Sequence, residues 1–510
     1  MKKLFKAIAI LTSFSALTRA LGFLFRIFLS RIIGAEGLGI YQISFSVYMV
    51  LETFISSGLP LIVSKRTSSI NAQKNRENKN EFSIVTAALI IGVITAISLC
   101  LIVLIFKNLF GLLFTDKRCL NILITLLPAL VFSSVYSILR GNIWGKKRYL
   151  LVSLTEFLEQ LLRIIFCVIF VAILYSTFDG AVIASYSFVI SCILSSILVF
   201  VFYIKIGGKI KSPKGEFKPL IKEALPISLV RVISSLLTPI ISIIIPLKLV
   251  SIGYTNEQAL SIFGIAMGMT FPLLYIPSTL VSSLSMTLIP DLSAANSLKN
   301  IDEIKKKIHF SIKFALVVSF VFIPIFFALG IPIGQFLYNN IQSGSFLVSS
   351  CLLIVPICLS GITVSCLNAL NLEVKSFFNY IVGAIFLILS ILFLTDVLEI
   401  LSLVIGMGLC LGTATILNIR LLNKKLDDNF FNFKYLFKLI GFSIPSGLIA
   451  KFSYNLFIKI LPLFFSIGLS SILALIFFFT FGVIFNMFDF SFLDFRAKIL
   501  RKKNKKPIKN

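Results

Sequence analysis

An all-α integral membrane protein with about fourteen transmembrane helices is what this 510-residue sequence predicts, on three observations. Hydrophobic side chains make up 58% and charged ones only 14%, and the mean hydropathy of +1.01 is far too apolar for a water-soluble globule. Apolar runs of about twenty residues, the length that carries a helix across a hydrocarbon core, recur from end to end. The connectors between them are short and alternate between strongly basic and nearly uncharged. A formal charge of +27 would point to nucleic acid in a soluble protein. Here the sorting of lysine and arginine to cytoplasmic loops accounts for it, and no nucleic-acid partner is expected.

The opening MKKLFKAIAILTSFSALTRA imitates a signal peptide. No small-x-small cleavage site precedes Arg19 and the apolar run continues to Ile33, so an uncleaved first helix is predicted. After a short break at 34–37, a second span covers about 38–63. Spans at about 82–106, 120–139, 150–175 and 181–204 complete six. The basic, Gly/Pro-containing connector 205–222 reads as a lobe boundary. Eight more spans follow, at about 224–249, 259–289, 310–330, 346–369, 378–394, 398–421, 437–461 and 463–488, before a basic tail. The expected organisation is an N-terminal lobe 1–208, a second lobe 209–430, two further helices 431–490 and a cytoplasmic tail 491–510. Basic residues crowd alternate connectors (65–79, 140–148, 205–222, 299–307, 420–438), which places both termini in the cytoplasm and requires an even number of spans.

Charges inside the spans are the candidate functional residues, because an ionised side chain at membrane depth costs roughly 2.5–3.5 kcal/mol and persists where it meets water, an ion or a partner. Arg19 and Arg26 share one helical side with Thr12, Ser15, Gly22 and Ser30, a small, polar and doubly cationic stripe suited to lining a hydrated cavity for a phosphate-bearing substrate. Glu52 lies in the second span. In the fifth, Glu156, Glu159, Gln160 and Arg163 fall on one face; Glu159 and Arg163 can pair one turn apart, which leaves Glu156 to be answered by a cation, a proton relay or an arginine on another helix. The seventh span carries Arg231 above Ser235, Thr238 and Ser242 and is interrupted by Pro226, Pro239 and Pro246, the marks of a bent helix. The eighth repeats prolines among glycines and serines, for which close helix packing is the simpler explanation. Arg19 and Arg231 stand early in the first and seventh helices, a coarse repeat of the sort found in transporters built from two lobes. The eight cysteines show no paired spacing and read as packing residues, with neither disulfide nor metal site expected. The lone His309, beside a lysine cluster, reads as a surface residue.

The segments TRALGFLFRIFLSRIIGAEGLGIYQ (18–42), SSGLPLIVSK (56–65), RGNIWGKKRY with EFLEQLLRI (140–164) and FPLLYIPSTLVSSLSMTLIPDLS (271–293) resemble the stage V sporulation protein B group of the mouse virulence factor family, within the multidrug/oligosaccharidyl-lipid/polysaccharide flippase superfamily. The resemblance implies two pseudo-symmetric six-helix lobes plus two C-terminal helices with a groove for a lipid tail. It implies transport of undecaprenyl-pyrophosphate-linked cell-wall saccharides, lipid II among them, across the bacterial cytoplasmic membrane by alternating access, in growth or in sporulation. Arg19 matches a cavity arginine of the family directly and Arg26 a second with a one-residue offset. Glu52 and Met267 stand where the lipid II branch has further arginines, a departure that bears on the headgroup carried. Substrate contacts are expected at Arg19, Arg26, Arg231, Glu52, Glu156, Glu159, Gln160 and Arg163. No enzymatic activity or cofactor is expected; Na+ or H+ is the candidate coupling ion, the monomer the expected unit, and cell-wall synthesis proteins the candidate partners. The alternatives are an exporter of another polysaccharide lipid, or a drug or cation antiporter of the same superfamily, whose cavity would be dominated by carboxylates.

Overall fold

The computed structural model describes residues 2–72, 81–174, 177, 179–213 and 215–485, and every regular element among them is helical. The expected tail 491–510 lies outside the described residues. The first helix, α1 (Lys2–Ser56), has 55 residues and would run about 80 Å if straight, more than twice a hydrocarbon core. It breaks at Gly34, where φ is 69° and ψ −175°, a left-handed backbone that residues with a Cβ rarely adopt. That is the break the sequence predicts at 34–37. Among the described residues 13 helices are long and apolar enough to span a membrane, the first of them Ala16–Asn71. Dividing that one at Gly34 makes fourteen passes.

The chain continues through α2 (Gly58–Ala72), α3 (Glu81–Ile105), α4 (Lys107–Leu113), α5 (Lys117–Gly145), α6 (Tyr149–Leu174) and α7 (Gly180–Lys205). Then come α8 (Phe217–Ser235), α9 (Leu237–Ser251), α10 (Asn256–Phe263), a π turn (Gly264–Thr270), α11 (Phe271–Leu274), α12 (Ile276–Ser297) and α13 (Ile301–Tyr338). The last elements are α14 (Ile341–Ser350), a 3-10 turn (Cys351–Leu353), α15 (Ile354–Ala369), α16 (Glu373–Leu398), α17 (Leu401–Leu426), α18 (Phe433–Phe457) and α19 (Leu463–Ile484).

Local chemistry sets many of these ends. Asp116 and Asp179 cap α5 and α7 by accepting from the Arg118 and Ala181 backbone N–H groups, and Thr255 with Gln258 forms a capping box on α10. The seventh span divides at Leu236 into α8 and α9, three residues before Pro239, which cannot donate to the Ser235 carbonyl. Expected boundaries move in places: the eighth span, expected at about 259–289, divides at Tyr275 between α11 and α12, and the connector at 140–148 begins only after Gly145, so Arg140 belongs to α5. The helix continues because Asn142, wholly buried, donates to Thr67 Oγ1 at 3.0 Å and to Glu81 Oε1 at 2.9 Å, which satisfies a polar side chain that would otherwise favour a turn.

The structure forms two compact units, Met1–Leu273 with Gly383–Cys410 and Leu274–Val382 with Leu411–Asn510. In the first, α1 is packed by α5, α6 and α7 and also by α8, α9 and α10. Near Gly34 the helices touch backbone to backbone: a Cβ on Gly264 would lie 2.0 Å from the Ala35 carbonyl oxygen, and one on Gly39 2.1 Å from that of Leu260. Past the end of α1, Gly58 N–H donates to Ser228 Oγ at 3.2 Å, and Arg66 on α2 pairs with Glu216 at 3.0 Å and Glu223 at 2.6 Å. The connector 205–222 is tied to the same unit, with Lys211 N–H donating to Thr86 Oγ1 and Tyr203 to the Lys209 carbonyl. In the second unit, α13 packs against α12, α14, α15, α18 and α19, and Ser446 Oγ bridges α18 to the Ala474 carbonyl of α19 at 2.9 Å. Seven of the eight cysteines are buried, as packing residues would be. His309 is half-buried against Phe430 and paired with Asp428 at 3.1 Å, more tightly held than a surface residue.

Candidate functional site

Arg19 stands about 25 Å along α1 from Lys2 and about 22 Å short of Gly34, which is deep inside any membrane that the helix crosses. Its side chain is exposed and makes no ion pair among the described residues. Arg231, near the C-terminal end of α8, is likewise exposed and without an ion pair among them. Arg26 is half-buried, within electrostatic reach of Tyr41. The side chains of Thr12 and Ser15 lie outside the described residues, while Ser30 is buried and donates to the Ile27 carbonyl at 2.8 Å. Gly22 faces Gln160, whose amide nitrogen would be 3.8 Å from a Cβ there, so the arginine-bearing arm of α1 runs beside the charged face of α6.

On α6 the structure divides the four predicted residues between two partners. Glu159 accepts from Arg163 at 2.8 Å, the one-turn pair the spacing predicts, and Gln160 accepts from the same guanidinium at 3.3 Å. Arg163 Cζ sits 4.5 Å from the centre of the Phe188 ring. Phe188 packs edge-on to Phe45 and Tyr48, so the cation is walled by aromatic faces. Glu156 is answered from another helix, by Arg140 of α5. Glu52, on the second arm of α1, accepts from Ser133 Oγ of α5 at 3.0 Å and has no basic partner within ion-pair distance among the described residues; Arg140 and Glu159 are in electrostatic reach. The wholly buried Tyr48 hydroxyl, within electrostatic reach of Glu52, has no hydrogen-bond partner among those residues.

All eight predicted residues therefore belong to the first unit, and seven of them to helices α1 and α6. Sequence reasoning missed Arg140, because a basic residue beside the KKR cluster reads as loop. The signal was present: Ser133, Tyr136, Ser137 and Arg140 recur at offsets of three, four and seven on one face of α5. The hydroxyls beneath Arg231 do less than expected. Ser235 and Ser242 donate to the Val232 and Thr238 carbonyls of their own helices, at 2.8 and 2.9 Å.

The electrostatic outcome is an imbalance. Glu156 and Glu159 are committed to ion pairs with Arg140 and Arg163, while Arg19 and Arg231 have no ion pair among the described residues. Among the described residues Arg19 and Arg231 keep their donors available for an anion, and each guanidinium presents a planar fork that matches two phosphate oxygens.

The pairing also orders the carboxylates by consequence. Glu159→Gln leaves Arg163 with Gln160 and the Phe188 ring, whereas Glu156→Gln strands Arg140. With both partners about a third exposed, the expected cost of stranding is roughly 1–2 kcal/mol rather than the full buried-pair penalty. Complementation of a strain lacking the protein, at matched membrane levels, should show the larger loss for Glu156→Gln; equal, near-normal activity of both variants would reduce this face to ordinary packing.

A family model described as polysaccharide biosynthesis protein matches residues 4–296. Stage V sporulation protein B of Bacillus subtilis (strain 168) is 26% identical over 391 residues, covering 74% of this chain and 75% of that protein. Among solved structures, the lipid II flippase MurJ in an inward closed conformation is similar with a TM-score of 0.69 at 16% identity, over 94% of this chain and 98% of that one. An inward-facing multidrug resistance transporter of the MATE family, in the MOP superfamily, is similar with a TM-score of 0.66 at 15% identity, over 80% and 94%. These structural likenesses show the transporter fold.

Proposed function

This chain belongs to the polysaccharide biosynthesis protein family, and from that premise we propose that it is a flippase for a lipid-linked, pyrophosphate-bearing cell-wall saccharide such as lipid II. The observation that carries the reading is the excess of guanidinium at membrane depth, with Arg19 and Arg231 free of carboxylate partners among the described residues. A drug or cation antiporter would be served by the opposite balance. The arginines grip the pyrophosphate while the chain alternates between states open to each side of the membrane. Glu156 and Glu159 hold Arg140 and Arg163 in place beside the path, so their charge does not compete for the substrate. Glu52, bound by Ser133 and within electrostatic reach of a Tyr48 hydroxyl that has no partner among the described residues, is the candidate carrier of a coupling cation, H+ or Na+. A spore-cortex role follows the sporulation relative, and the bacterial cytoplasmic membrane is the proposed location, with both termini on the cytoplasmic side.

The deciding experiment is a flipping assay in proteoliposomes that compares lipid II with other undecaprenyl-linked sugars and with undecaprenol lacking phosphate. Transport of a pyrophosphate-linked lipid is expected; export of a cationic drug with no lipid movement would favour the antiporter. Topology is tested separately. Single cysteines at Thr177, Thr255 and Asn340 should react with an impermeant thiol reagent from outside, and those at Ser212 and Asn300 should not, because the connectors alternate in charge. Reaction of either group from the wrong side would overturn the assigned orientation.

A further inference from the structure

The second unit carries a charged cleft that the substrate path does not use. It is a cavity of about 370 Å³ between the first turns of α16 and the last turns of α17, lined by Lys375, Phe378 and Asn379 on one side and by Arg420, Leu421 and Lys424 on the other. Each group follows helical spacing. Lys375, Phe378 and Asn379 are three and four apart, and Arg420 and Lys424 are four apart, so each helix offers the cleft a single face.

Three cations converge there and none of them has an ion pair among the described residues. Nearby acids do not supply one. Glu373 precedes Lys375 by two residues and so projects about 160° away around the helix. The Asp428 carboxylate is taken by His309 at 3.1 Å and by the Asn429 N–H at 2.7 Å. Lys425, next in sequence to Lys424, is turned away to the Leu370 carbonyl at 2.9 Å. Asn379 is fixed at the base by donating to Asn418 Oδ1 at 2.8 Å. Sorting of basic residues to one side of a membrane explains why lysines and arginines occur at these helix ends. It does not explain three of them around one cleft without a counter-charge.

Depth selects the ligand. Both helices have 26 residues, about 39 Å, against a hydrocarbon core of about 30 Å, so their terminal turns reach headgroup level. One helical turn along from Lys375, Phe378 is exposed, and Leu417 and Leu421 lie among the basic residues of α17. Cations at headgroup level with an apolar floor match a lipid phosphate with its acyl chains, and a soluble anion would have no use for that floor.

We propose that the α16–α17 cleft is a binding site for an anionic phospholipid, whose headgroup phosphate is held by Lys375, Arg420 and Lys424. Basic residues near an anionic membrane surface each contribute about 1 kcal/mol, or about fivefold in affinity, so losing all three should weaken binding by on the order of a hundredfold.

Native mass spectrometry of the full chain in detergent, titrated with phosphatidylglycerol, phosphatidylcholine and inorganic phosphate, tests this. The wild-type protein is expected to take up a first phosphatidylglycerol at a much lower concentration than phosphatidylcholine. The Lys375→Gln, Arg420→Gln, Lys424→Gln variant should lose that preference, while a control with the same charge removed at the exposed Lys209, Lys218 and Lys222 keeps it. Thermal unfolding in detergent identifies folded samples, and a triple variant that fails to fold is replaced by Lys375→Gln with Arg420→Lys, expected to show an intermediate loss. Preference retained by the triple variant overturns the proposal, and so does equal loss in the control, which would mean unspecific attraction. Displacement of the lipid by inorganic phosphate at similar concentration would make this a site for soluble anions and overturn it too.

Discussion

Arg19→Ala is expected to abolish complementation while the protein still reaches the membrane, and Arg19→Lys to retain intermediate activity. The exposed Arg19 guanidinium has no ion pair among the described residues, so its removal breaks no intramolecular bridge, and the loss falls on whatever anion it binds. Lysine restores the charge without the planar fork. Charge-assisted contacts of this kind are worth roughly 1.5–3 kcal/mol each, or about tenfold to a hundredfold in affinity. Removing Arg26 as well should eliminate saturable binding of a pyrophosphate-linked lipid from a protein that stays monodisperse in detergent. Arg231→Ala should act in the same direction but more weakly, if α8 engages the substrate in only one state. Wild-type affinity in the Arg19→Ala, Arg26→Ala variant would sink the cationic-path reading and leave an antiporter as the better account.

Gly264→Ala should be nearly as damaging for a different reason. The added methyl would lie 2.0 Å from the Ala35 carbonyl oxygen and 2.7 Å from the Gly39 nitrogen, both backbone atoms, so no side chain can rotate away. The second arm of α1 and the π turn after α10 must separate by an ångström or more, and overpacking of this kind costs about 1–3 kcal/mol. A lower unfolding temperature in detergent and loss of complementation are expected. Gly39→Ala, whose methyl would meet the Leu260 carbonyl at 2.1 Å, should behave alike. Gly468→Ala is the internal control. Nothing lies within 4 Å of its added methyl, so α19 should gain up to about 1 kcal/mol from the better helix former. If Gly264→Ala and Gly468→Ala unfold at the same temperature, the close approach of α1 to the π turn is not a feature of the protein in detergent.

What the sequence determined by itself is whatever depends on period, length and composition. Apolar runs located α3, α6 and α7 to within a residue or so, because a membrane helix must satisfy its own backbone and the boundary falls where apolar residues end. The break at Gly34 was legible from a short small-residue stretch between two long apolar runs, and the Glu159–Arg163 pair from a spacing of four. Tertiary structure alone decided what lies between helices. Arg140 looked like a loop residue until the burial of Asn142 carried α5 past it and set its guanidinium against Glu156 of the next helix. The contacts of Gly39 and Gly264 join residues more than 200 positions apart, and the α16–α17 cleft gathers side chains some 45 positions apart. Helical periodicity assigns each residue a face, but which faces meet, and so which charge is answered and which is left for a ligand, depends on the packing of whole helices.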